Sequence, residues 1–308
     1  MKATIIGAAG CVGSCVAFNI AVHRLADEIV MIDGPKQNLL IQHVMDISTA
    51  VTGQDVLVRT GNDKDMRGSD IVIVAAGVPQ GVIASRMEML PKNLPIIKDI
   101  AQKVKQFCSN AVIITATNPV GPLNYAMYLC SHLDRGKLIG YSTNDSIRLR
   151  MMVAEALGVK SRQVEGTVIG EHGSSQVLLF SSIRVDGKPV SVSKDIKQKI
   201  RQEVPHILRR YEELKSGRTA GWTSAAGLAA IVRAIGENTE EVIPCSSVLE
   251  GEYGCHGLSM TIPAVLGREG IHEILEWELA PDENEGLEHS INILKPAMHY
   301  VEEYLGIS

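Results

Sequence analysis

The sequence has few aromatic residues and no excess of positive charge. Aromatic side chains make up 4% of its 308 residues, and three Phe and two Trp leave little surface for stacking on nucleic-acid bases. The formal net charge is −5, with acidic and basic residues mixed along the chain instead of forming a basic stripe. We therefore expect no nucleic-acid partner and no membrane-surface partner. A local basic pocket for a small anionic molecule is still allowed.

Patterns that would mark a metal site, a membrane span or export are also missing. The six cysteines form no Cys-x-x-Cys pair, and no His/Cys cluster has the spacing of a zinc site. No apolar run reaches the roughly 20 residues that a membrane span needs. The start, MKATIIGAAG, enters a strand pattern at once, without the charged region and cleavable apolar stretch of an export signal. We therefore predict reduced, mostly buried thiols, no metal and a cytoplasmic location.

Apolar residues are plentiful, at 45% of the chain, which is enough for the core of one large domain or of two. In the first half, short apolar strands alternate with helices. Strands are predicted over 3–7, 28–33, 70–77 and 110–119, and helices over 10–22 and 36–48. Continuous β-branched runs separated by helices indicate a parallel sheet covered on both faces. With right-handed crossovers, this pattern predicts a doubly wound α/β fold.

The pattern changes after about residue 142. A helix over 145–158 closes at Gly158, and two strand segments follow, with a hairpin signal at Asp186-Gly187. Two helices between about 194 and 236, a second antiparallel strand pair and a charged helix over about 283–305 complete the chain. We therefore predict two domains without a flexible tether: a doubly wound domain over 1–141 and a mixed α+β domain over 142–308.

A glycine pattern lies between the first predicted strand and the first predicted helix. Gly7, Gly10 and Gly13 form the G-x-x-G-x-x-G sequence GAAGCVG. Without side chains at the first two positions, the turn can tighten and its backbone can approach a pyrophosphate, while the third glycine lets the helix pack close to the strand. The start of the helix offers N–H groups and partial positive charge to phosphates. This context predicts a dinucleotide site.

Asp33 ends the second predicted strand, about twenty positions after the glycines. A carboxylate at this place can accept hydrogen bonds from both ribose hydroxyls of NAD, and it repels the 2′-phosphate of NADP. Lys36 lies just beyond and could soften that discrimination, although a solvated lysine at a helix start is the simpler interpretation. The predicted cofactor is therefore NAD.

Four further motifs point to a family. The segments AGVPQGVIASRMEML, TATNP, NDSIRLR and GEHG follow one another in the order and approximate spacing of the lactate/malate dehydrogenases, which the chain resembles over its whole length. The resemblance implies a Rossmann-type NAD-binding domain followed by a catalytic α+β domain. It implies an oxidoreductase that transfers hydride between NAD(H) and a small 2-hydroxy or 2-keto acid. It also implies a homodimer or a homotetramer.

The same resemblance implies roles for five residues. His172 matches the proton donor and acceptor, which suits imidazole because its pKa lies near working pH. Asp145 matches the carboxylate that orients this imidazole, and Arg148 matches the guanidinium that binds the substrate carboxylate with two hydrogen bonds. Arg86 matches the loop arginine that polarises the carbonyl, and Asn118 matches an asparagine beside the nicotinamide and the substrate.

The substrate is predicted from the loop position six residues before Arg86, which is Gln80. In the family, glutamine there goes with lactate and arginine with malate, and an unpaired second carboxylate under a closed lid would be costly. Three departures from the family pattern keep malate as the alternative: the loop reads PQGVIAS with a displaced glycine, the helix break differs, and Ser174 and Gly121 stand where many relatives have Asp. The helix break reads KSGRTAGWTS, which places Ala220, or Thr219 after a one-residue shift, at a substrate position, and it adds Arg218.

Arg218 has two interpretations at this stage. It could bind the second carboxylate of oxaloacetate in place of a basic loop residue, or it could face solvent or a neighbouring subunit. Two other classes of protein fit the sequence less well. A metal-dependent glycosidase of related scaffold would need a Cys and His set that is missing, and a non-catalytic dinucleotide sensor would be expected to have lost part of the His–Asp–Arg set.

Overall fold

The structure is a computed structural model that describes residues 1–79, 85–214 and 219–307, without the side chains of 205–209, 211 and 212. Six strands of the first half form the parallel part of a sheet: β1 (Lys2–Ile6), β2 (Glu28–Ile32), β3 (Leu57–Thr60), β4 (Ile71–Val74), β5 (Val112–Thr115) and β6 (Leu138–Gly140). Their spatial order is β3-β2-β1-β4-β5-β6, and each neighbouring pair is parallel. This is the doubly wound order of dinucleotide-binding folds. The predicted fold class is confirmed.

Four helices connect these strands: α1 (Cys11–Val22), α2 (Gln37–Ala50), α3 (Leu90–Phe107) and α4 (Val120–Ser131). The first two match the predicted helices. A short 3-10 helix, Arg86–Met89, leads directly into α3. Strands β3 and β6 are missing from the sequence-based prediction because they give weak patterns. β3 has one buried residue, Val58, and β6 is three residues long.

The second half begins with α5 (Asn144–Leu157), which ends at Gly158 with a φ of +67°. A three-stranded antiparallel sheet follows, made of β7 (Val164–Ile169), β8 (Val177–Val185) and β9 (Lys188–Pro189). The turn between β8 and β9 has positive φ at both Asp186 and Gly187, 48° and 73°, as a tight hairpin requires. The predicted helix end and the predicted hairpin are both confirmed.

The remaining elements are α6 (Lys194–Glu213), α7 (Gly221–Glu237), β10 (Glu241–Glu250), β11 (His256–Gly267), β12 (Gly270–Ile274) and α8 (Pro281–Leu305). β10 and β11 form the predicted antiparallel pair. They do not form a separate sheet, however, because β10 also pairs antiparallel with β6 through Ser246 and Gly140. A Cβ on Gly140 would lie 2.6 Å from that of Ser246, so a glycine is needed for this close approach.

The result is a nine-stranded sheet that runs from β12 to β3 and includes strands of both halves. The large apolar core packs on its two faces, and a second, smaller core lies among α5, α6, β7 and β8. The sheet therefore continues across the predicted boundary between residues 141 and 142, and the division into two domains stays a prediction. Among the described residues, no helix combines the length and apolarity that crossing a bilayer needs.

The carboxyl edge of the parallel strands gathers the segments of interest. The glycine loop follows β1, Asp33 follows β2, residues 75–79 follow β4 and Asn118 lies beyond β5. In open α/β sheets this edge is where ligands bind.

Candidate active site

The glycine loop is as compact as its sequence requires. Gly7 has a φ of +82°, and a Cβ on it would lie 2.5 Å from the backbone nitrogen of Ala76. A Cβ on Gly13 would lie 2.4 Å from the carbonyl oxygen of Gly7, so the third glycine lets α1 pack against the loop. Gly10 is the N-cap of α1, and its Cβ would lie 3.2 Å from the same oxygen. The backbone N–H groups at the start of α1 have no partner within the helix and suit a phosphate.

Asp33 lies at the end of β2 and is 9% exposed. Its carboxylate accepts hydrogen bonds from the backbone N–H of Ala9, at 3.1 Å, and of Lys36, at 3.2 Å. The first bond holds the carboxylate beside the glycine loop. The acidic group and the phosphate-sized backbone cradle are therefore placed as one unit, as binding of the ribose and pyrophosphate of a dinucleotide requires.

On the other side of the site, His172 and Asp145 are in direct contact. His172 Nδ1 lies 2.5 Å from Asp145 Oδ2, and both side chains are buried, with 7% and 2% of their area exposed. An ionised carboxylate accepts hydrogen bonds only, so Nδ1 carries the proton and Nε2 is left for a ligand. This pair connects the first turn of α5 with the turn after β7.

Arg148 lies one turn after Asp145 on α5, and its Nη1 donates to Asp145 Oδ1 at 3.1 Å. Arg148 is 8% exposed, and its guanidinium has further N–H donors for another anion. Arg150, two positions on, turns back onto its own helix and donates to the carbonyl oxygen of Ser146 at 3.2 Å. The two arginines thus occupy different environments, as their spacing predicts.

Burial and charge oppose each other at the buried pair. Burial raises the pKa of Asp145, but the attraction of His172, Arg86 and Arg148 outweighs that effect, so the carboxyl pKa lies below its usual value. Burial lowers the pKa of His172, and Arg86 adds to this effect while Asp145 opposes it. An ionised Asp145 beside a neutral imidazole is the state that these effects favour at neutral pH.

Arg86, at the first position of the 3-10 helix before α3, reaches the same place. Its Nη1 donates to the carbonyl oxygen of His172 at 2.6 Å. The structure thus brings together four residues from three distant segments of the sequence: His172, the pair Asp145 and Arg148, and Arg86. A proton-transfer group, its orienting carboxylate and two guanidinium groups can serve acid–base chemistry on a small anionic substrate.

Comparison with known proteins identifies the family that has this arrangement. Residues 1–140 match the model of the lactate/malate dehydrogenase NAD-binding domain, and residues 143–305 match that of the lactate/malate dehydrogenase alpha/beta C-terminal domain. The chain belongs to the lactate/malate dehydrogenase family. It is an NAD-dependent 2-hydroxy acid dehydrogenase, and its cofactor is NAD. The predicted family, type of enzyme and cofactor are confirmed.

Similar proteins within the family include both malate dehydrogenases and lactate dehydrogenases. A malate dehydrogenase of Natronomonas pharaonis is 37% identical over 287 residues, covering 92% of this chain and 94% of that protein. L-lactate dehydrogenase 1 of Staphylococcus aureus is 32% identical over 310 residues, with 98% and 97% covered. A solved Cryptosporidium parvum lactate dehydrogenase, in complex with lactic acid and NAD, has a TM-score of 0.93 at 28% identity and covers 98% of each chain.

Asn118, another predicted site residue, follows β5 and is connected through Asn93 of α3 with the segment after β4. Its side-chain oxygen is buried and lacks a hydrogen-bond partner within the described part of the chain, so it is a candidate acceptor for a ligand. Its backbone oxygen accepts from Asn93 Nδ2 at 2.7 Å, and Asn93 Oδ1 accepts from the N–H of Val78 at 2.8 Å. The sequence interpretation missed Asn93, because no local pattern marks a buried amide on an amphipathic helix.

The remaining predicted positions lie near the start of α7. Ala220 is the N-cap of α7. The backbone oxygen of the preceding residue, Thr219, lies 4.0 Å from Cys11 Sγ. The segment around Ala220 therefore lies beside the first turn of α1, close to the glycine loop. Gln80 and Arg218, which carry the two substrate hypotheses, both lie outside the described residues.

Proposed function

We propose that this dehydrogenase interconverts L-lactate and pyruvate, with His172 as the proton-transfer group. The observation that carries the proposal is the buried Asp145 carboxylate, which binds both His172 and Arg148. One anion thereby sets the distance between a group that moves a proton and a group that binds a carboxylate. A 2-keto acid has its carbonyl oxygen next to its carboxylate, so the two groups can act on one small molecule.

The chain's own residues divide the work on the substrate. When bound, NADH supplies the hydride that reduces C2. Protonated His172 donates its Nε2 proton to the carbonyl oxygen, and in the reverse direction neutral His172 accepts the hydroxyl proton at the same atom. Asp145 holds the Nδ1–H tautomer and stabilises the imidazolium. Arg148 binds the substrate carboxylate with those N–H groups that Asp145 does not occupy.

Arg86 and Asn118 complete the site as proposed. Arg86 Nη1 donates to the backbone carbonyl oxygen of His172, which supports the proposal that its guanidinium stabilises negative charge on the substrate carbonyl oxygen. The unpartnered side-chain oxygen of Asn118 would accept a hydrogen bond from bound nicotinamide or substrate. Gly7, Gly10, Gly13 and Asp33 would hold the pyrophosphate and the ribose of NAD.

Gln80 supports pyruvate as the substrate. The methyl group of pyruvate needs no charged partner, whereas the second carboxylate of oxaloacetate would be buried beside the neutral amide without one. The second candidate substrate is oxaloacetate, which the name of the Natronomonas pharaonis malate dehydrogenase favours. In that case Arg218 would bind the second carboxylate. Ala220 or Thr219 would contact the tail of either substrate.

The test is NADH consumption with pyruvate and with oxaloacetate, in wild type, His172→Asn and Arg218→Ala. We expect the higher kcat/KM with pyruvate, and we expect His172→Asn to lose turnover with both acids. A higher value with oxaloacetate that falls in Arg218→Ala would establish the malate candidate instead. Absence of turnover with either acid would mean that this dehydrogenase acts on a different 2-hydroxy acid.

A homodimer or homotetramer belongs to the same proposal. The outer face of α2 exposes Leu39, Ile41 and Met45 by 38%, 47% and 67%, and the neighbouring helices α1 and α7 expose Phe18 by 42% and Trp222 by 68%. A second copy of this chain is the occupant that the family resemblance supports for this apolar face. Light scattering of Met45→Glu tests it, with Ile307→Glu, also an exposed apolar position, as the control. A wild-type monomer would refute it.

The domain division at residues 141 and 142 and the cytoplasmic location are further parts of the proposal. The two family matches meet between residues 140 and 143, which supports the division. Calorimetric unfolding checks it, since two separate units should unfold in two transitions and one cooperative unit in a single transition. Cell fractionation with an antibody checks the location.

A further inference from the structure

The carboxylate of Glu171, directly before His172, has no role in the proposed chemistry although it is buried. Glu171 is 4% exposed. The hydrogen bonds that its carboxylate accepts come from Ser175, whose N–H lies at 3.0 Å and whose hydroxyl lies at 2.5 Å from Oε2. Burial of a carboxylate is costly unless it is well bonded, so a glutamate at this place needs an explanation.

The Glu171 side chain folds over the turn that carries His172. The N–H of Gly173 donates to the carbonyl oxygen of Glu171 at 2.9 Å, which closes a tight turn with His172 between them. A Cβ on Gly173 would lie 2.2 Å from Glu171 Oε1, so the carboxylate occupies the space that any side chain at 173 would need. This contact favours glycine after the histidine, because a side chain at 173 would displace the buried carboxylate from the turn.

The other side of the turn is fixed to α8. Gly170 has a φ of +84°, and the next N–H, that of Glu171, donates to Ser290 Oγ at 2.6 Å. The hydroxyl of Ser175 lies 3.4 Å from the same Ser290 Oγ. Ser290 is fully buried. Both ends of the segment 171–175 therefore meet at one hydroxyl of a helix that belongs to the protein core.

We propose that Glu171 is a positioning residue that keeps the His172 imidazole on Asp145. Its carboxylate fixes the backbone that follows His172, through the bonds from Ser175 and its packing against Gly173, while its backbone carbonyl oxygen closes the turn. The carbonyl oxygen of His172 also accepts a hydrogen bond from Arg86, so a shift of this turn would move the imidazole and the loop arginine together. The inference rests on the proposed role of His172 and extends it by one residue.

The chain offers a matched control in Glu283, near the start of α8. It is 2% exposed, and its carboxylate accepts from the N–H of Ser181 at 2.9 Å and from its hydroxyl at 2.5 Å. Glu283 thus has the burial and the serine donors of Glu171, but it lies seven residues before Ser290, about two helical turns away. Glu283 also accepts the N–H of Ala280 at 3.0 Å as part of the α8 cap, so its removal should cost at least as much stability as removal of Glu171, and only Glu171 should affect His172.

The experiment compares Glu171→Ala, Glu171→Gln and Glu283→Ala in the full chain. The readouts are kcat with the preferred keto acid, the Kd for NADH, thermal stability, and the downfield proton resonance of the His172 Nδ1–H, assigned by its loss in His172→Asn. A displaced reacting group can cost about a hundredfold in rate, so we expect a fall of that order in Glu171→Ala with an unchanged Kd for NADH. The downfield resonance should be lost or broadened in that variant and retained in Glu283→Ala.

Glu171→Gln should recover most of the activity and the resonance, because an amide oxygen can accept the same hydrogen bonds from Ser175. If Glu171→Ala keeps the resonance and the kcat, or loses no more of either than Glu283→Ala, the positioning role is refuted. A glutamine variant as poor as alanine would refute it as well, since charge and not geometry would then matter. Failure of the proposed function looks different: the wild-type enzyme and the Glu283→Ala variant would then turn over neither keto acid.

Discussion

On the cofactor side of the site, the glycine loop, the start of α1 and Asp33 all come from residues 2–33, a single strand–helix–strand segment, and the contacts are made largely by backbone. On the substrate side, four side chains come from three distant segments. The pair His172 and Asp145 is 27 residues apart, and Arg86 reaches His172 across 86. A local segment needs few contacts with the rest of the chain to keep its geometry. A site assembled over such distances depends on every contact that holds its segments together.

The largest expected effect is on the substrate side, in Asp145→Asn. The amide keeps the size of the side chain but loses the charge that fixes the Nδ1–H tautomer and stabilises the imidazolium. Loss of acid–base catalysis costs about 10²- to 10⁴-fold, and we expect a fall of kcat in that range with an unchanged Kd for NADH. Stopped-flow measurement of keto-acid reduction gives kcat, and fluorescence titration with NADH gives its Kd. A Kd that changes as much as kcat would mean that the two sides are not separable.

A smaller effect is expected on the cofactor side, in Gly13→Ala. The new Cβ would lie 2.4 Å from the carbonyl oxygen of Gly7, so α1 must move away from the loop. Overpacking of this kind costs about 1–3 kcal/mol, which we expect in the free energy of unfolding, together with a higher Kd for NADH and a preserved kcat at saturation. Gly34→Ala is the control, because nothing lies within 4 Å of a Cβ there and its φ is not positive. Equal effects in both variants would contradict the packing argument.

The same contrast decides what the sequence could predict. The glycine loop and Asp33 follow from local spacing, and so do the hairpin at Asp186-Gly187 and the end of α5 at Gly158. The pairing of β10 with β6 does not, because a strand pattern does not name its neighbour in a sheet. On the substrate side, the order of the motifs identified His172, Asp145, Arg148 and Arg86 through family resemblance, while no spacing in the sequence brings His172 and Arg86 to Asp145 and Arg148.

The polar residues that hold this side together were missed altogether. The buried carboxylate of Glu171 binds Ser175, the N–H of Glu171 donates to Ser290 across 119 residues, and Asn93 binds Val78 and Asn118 across 15 and 25. Each looks like an ordinary polar residue in its own segment. Their function depends on a partner that only the folded chain supplies, so neither local periodicity nor a family motif marks them as part of the site.

Asn93 allows a finer test, because it connects the segment after β4 with the backbone of Asn118. Asn93→Asp keeps the acceptor for the Val78 N–H but loses the donor to the carbonyl oxygen of Asn118 and places a carboxylate against it. An unsatisfied buried group costs about 1–3 kcal/mol, which we expect in the free energy of unfolding by urea. Because Asn118 faces nicotinamide and substrate in the proposed site, the KM for the keto acid should rise as well. Asn93→Ser, which keeps a small donor and acceptor, should lose less of both; a greater loss than in Asn93→Asp would contradict this reading.

The smallest expected effect is the pH dependence that His172 contributes, since it involves at most one proton. Burial, assisted by Arg86, lowers the pKa of His172 from 6.5, so below pH 6.5 the unfolded chain binds a proton more readily than the folded one. The free energy of unfolding should therefore fall as the pH falls from 6.5 through the folded pKa, by no more than about 1.4 kcal/mol for each pH unit. Asp145 acts in the same direction, but only below its own ordinary value of 3.8, because its folded pKa is also lowered. Between these two values, urea unfolding of His172→Asn should show a shallower slope than wild type, while the other eight of the nine histidines contribute to both proteins. Parallel slopes would mean that the attraction of Asp145 cancels the effect of burial, and the substrate side would then be as insensitive to acid as the backbone cradle on the cofactor side.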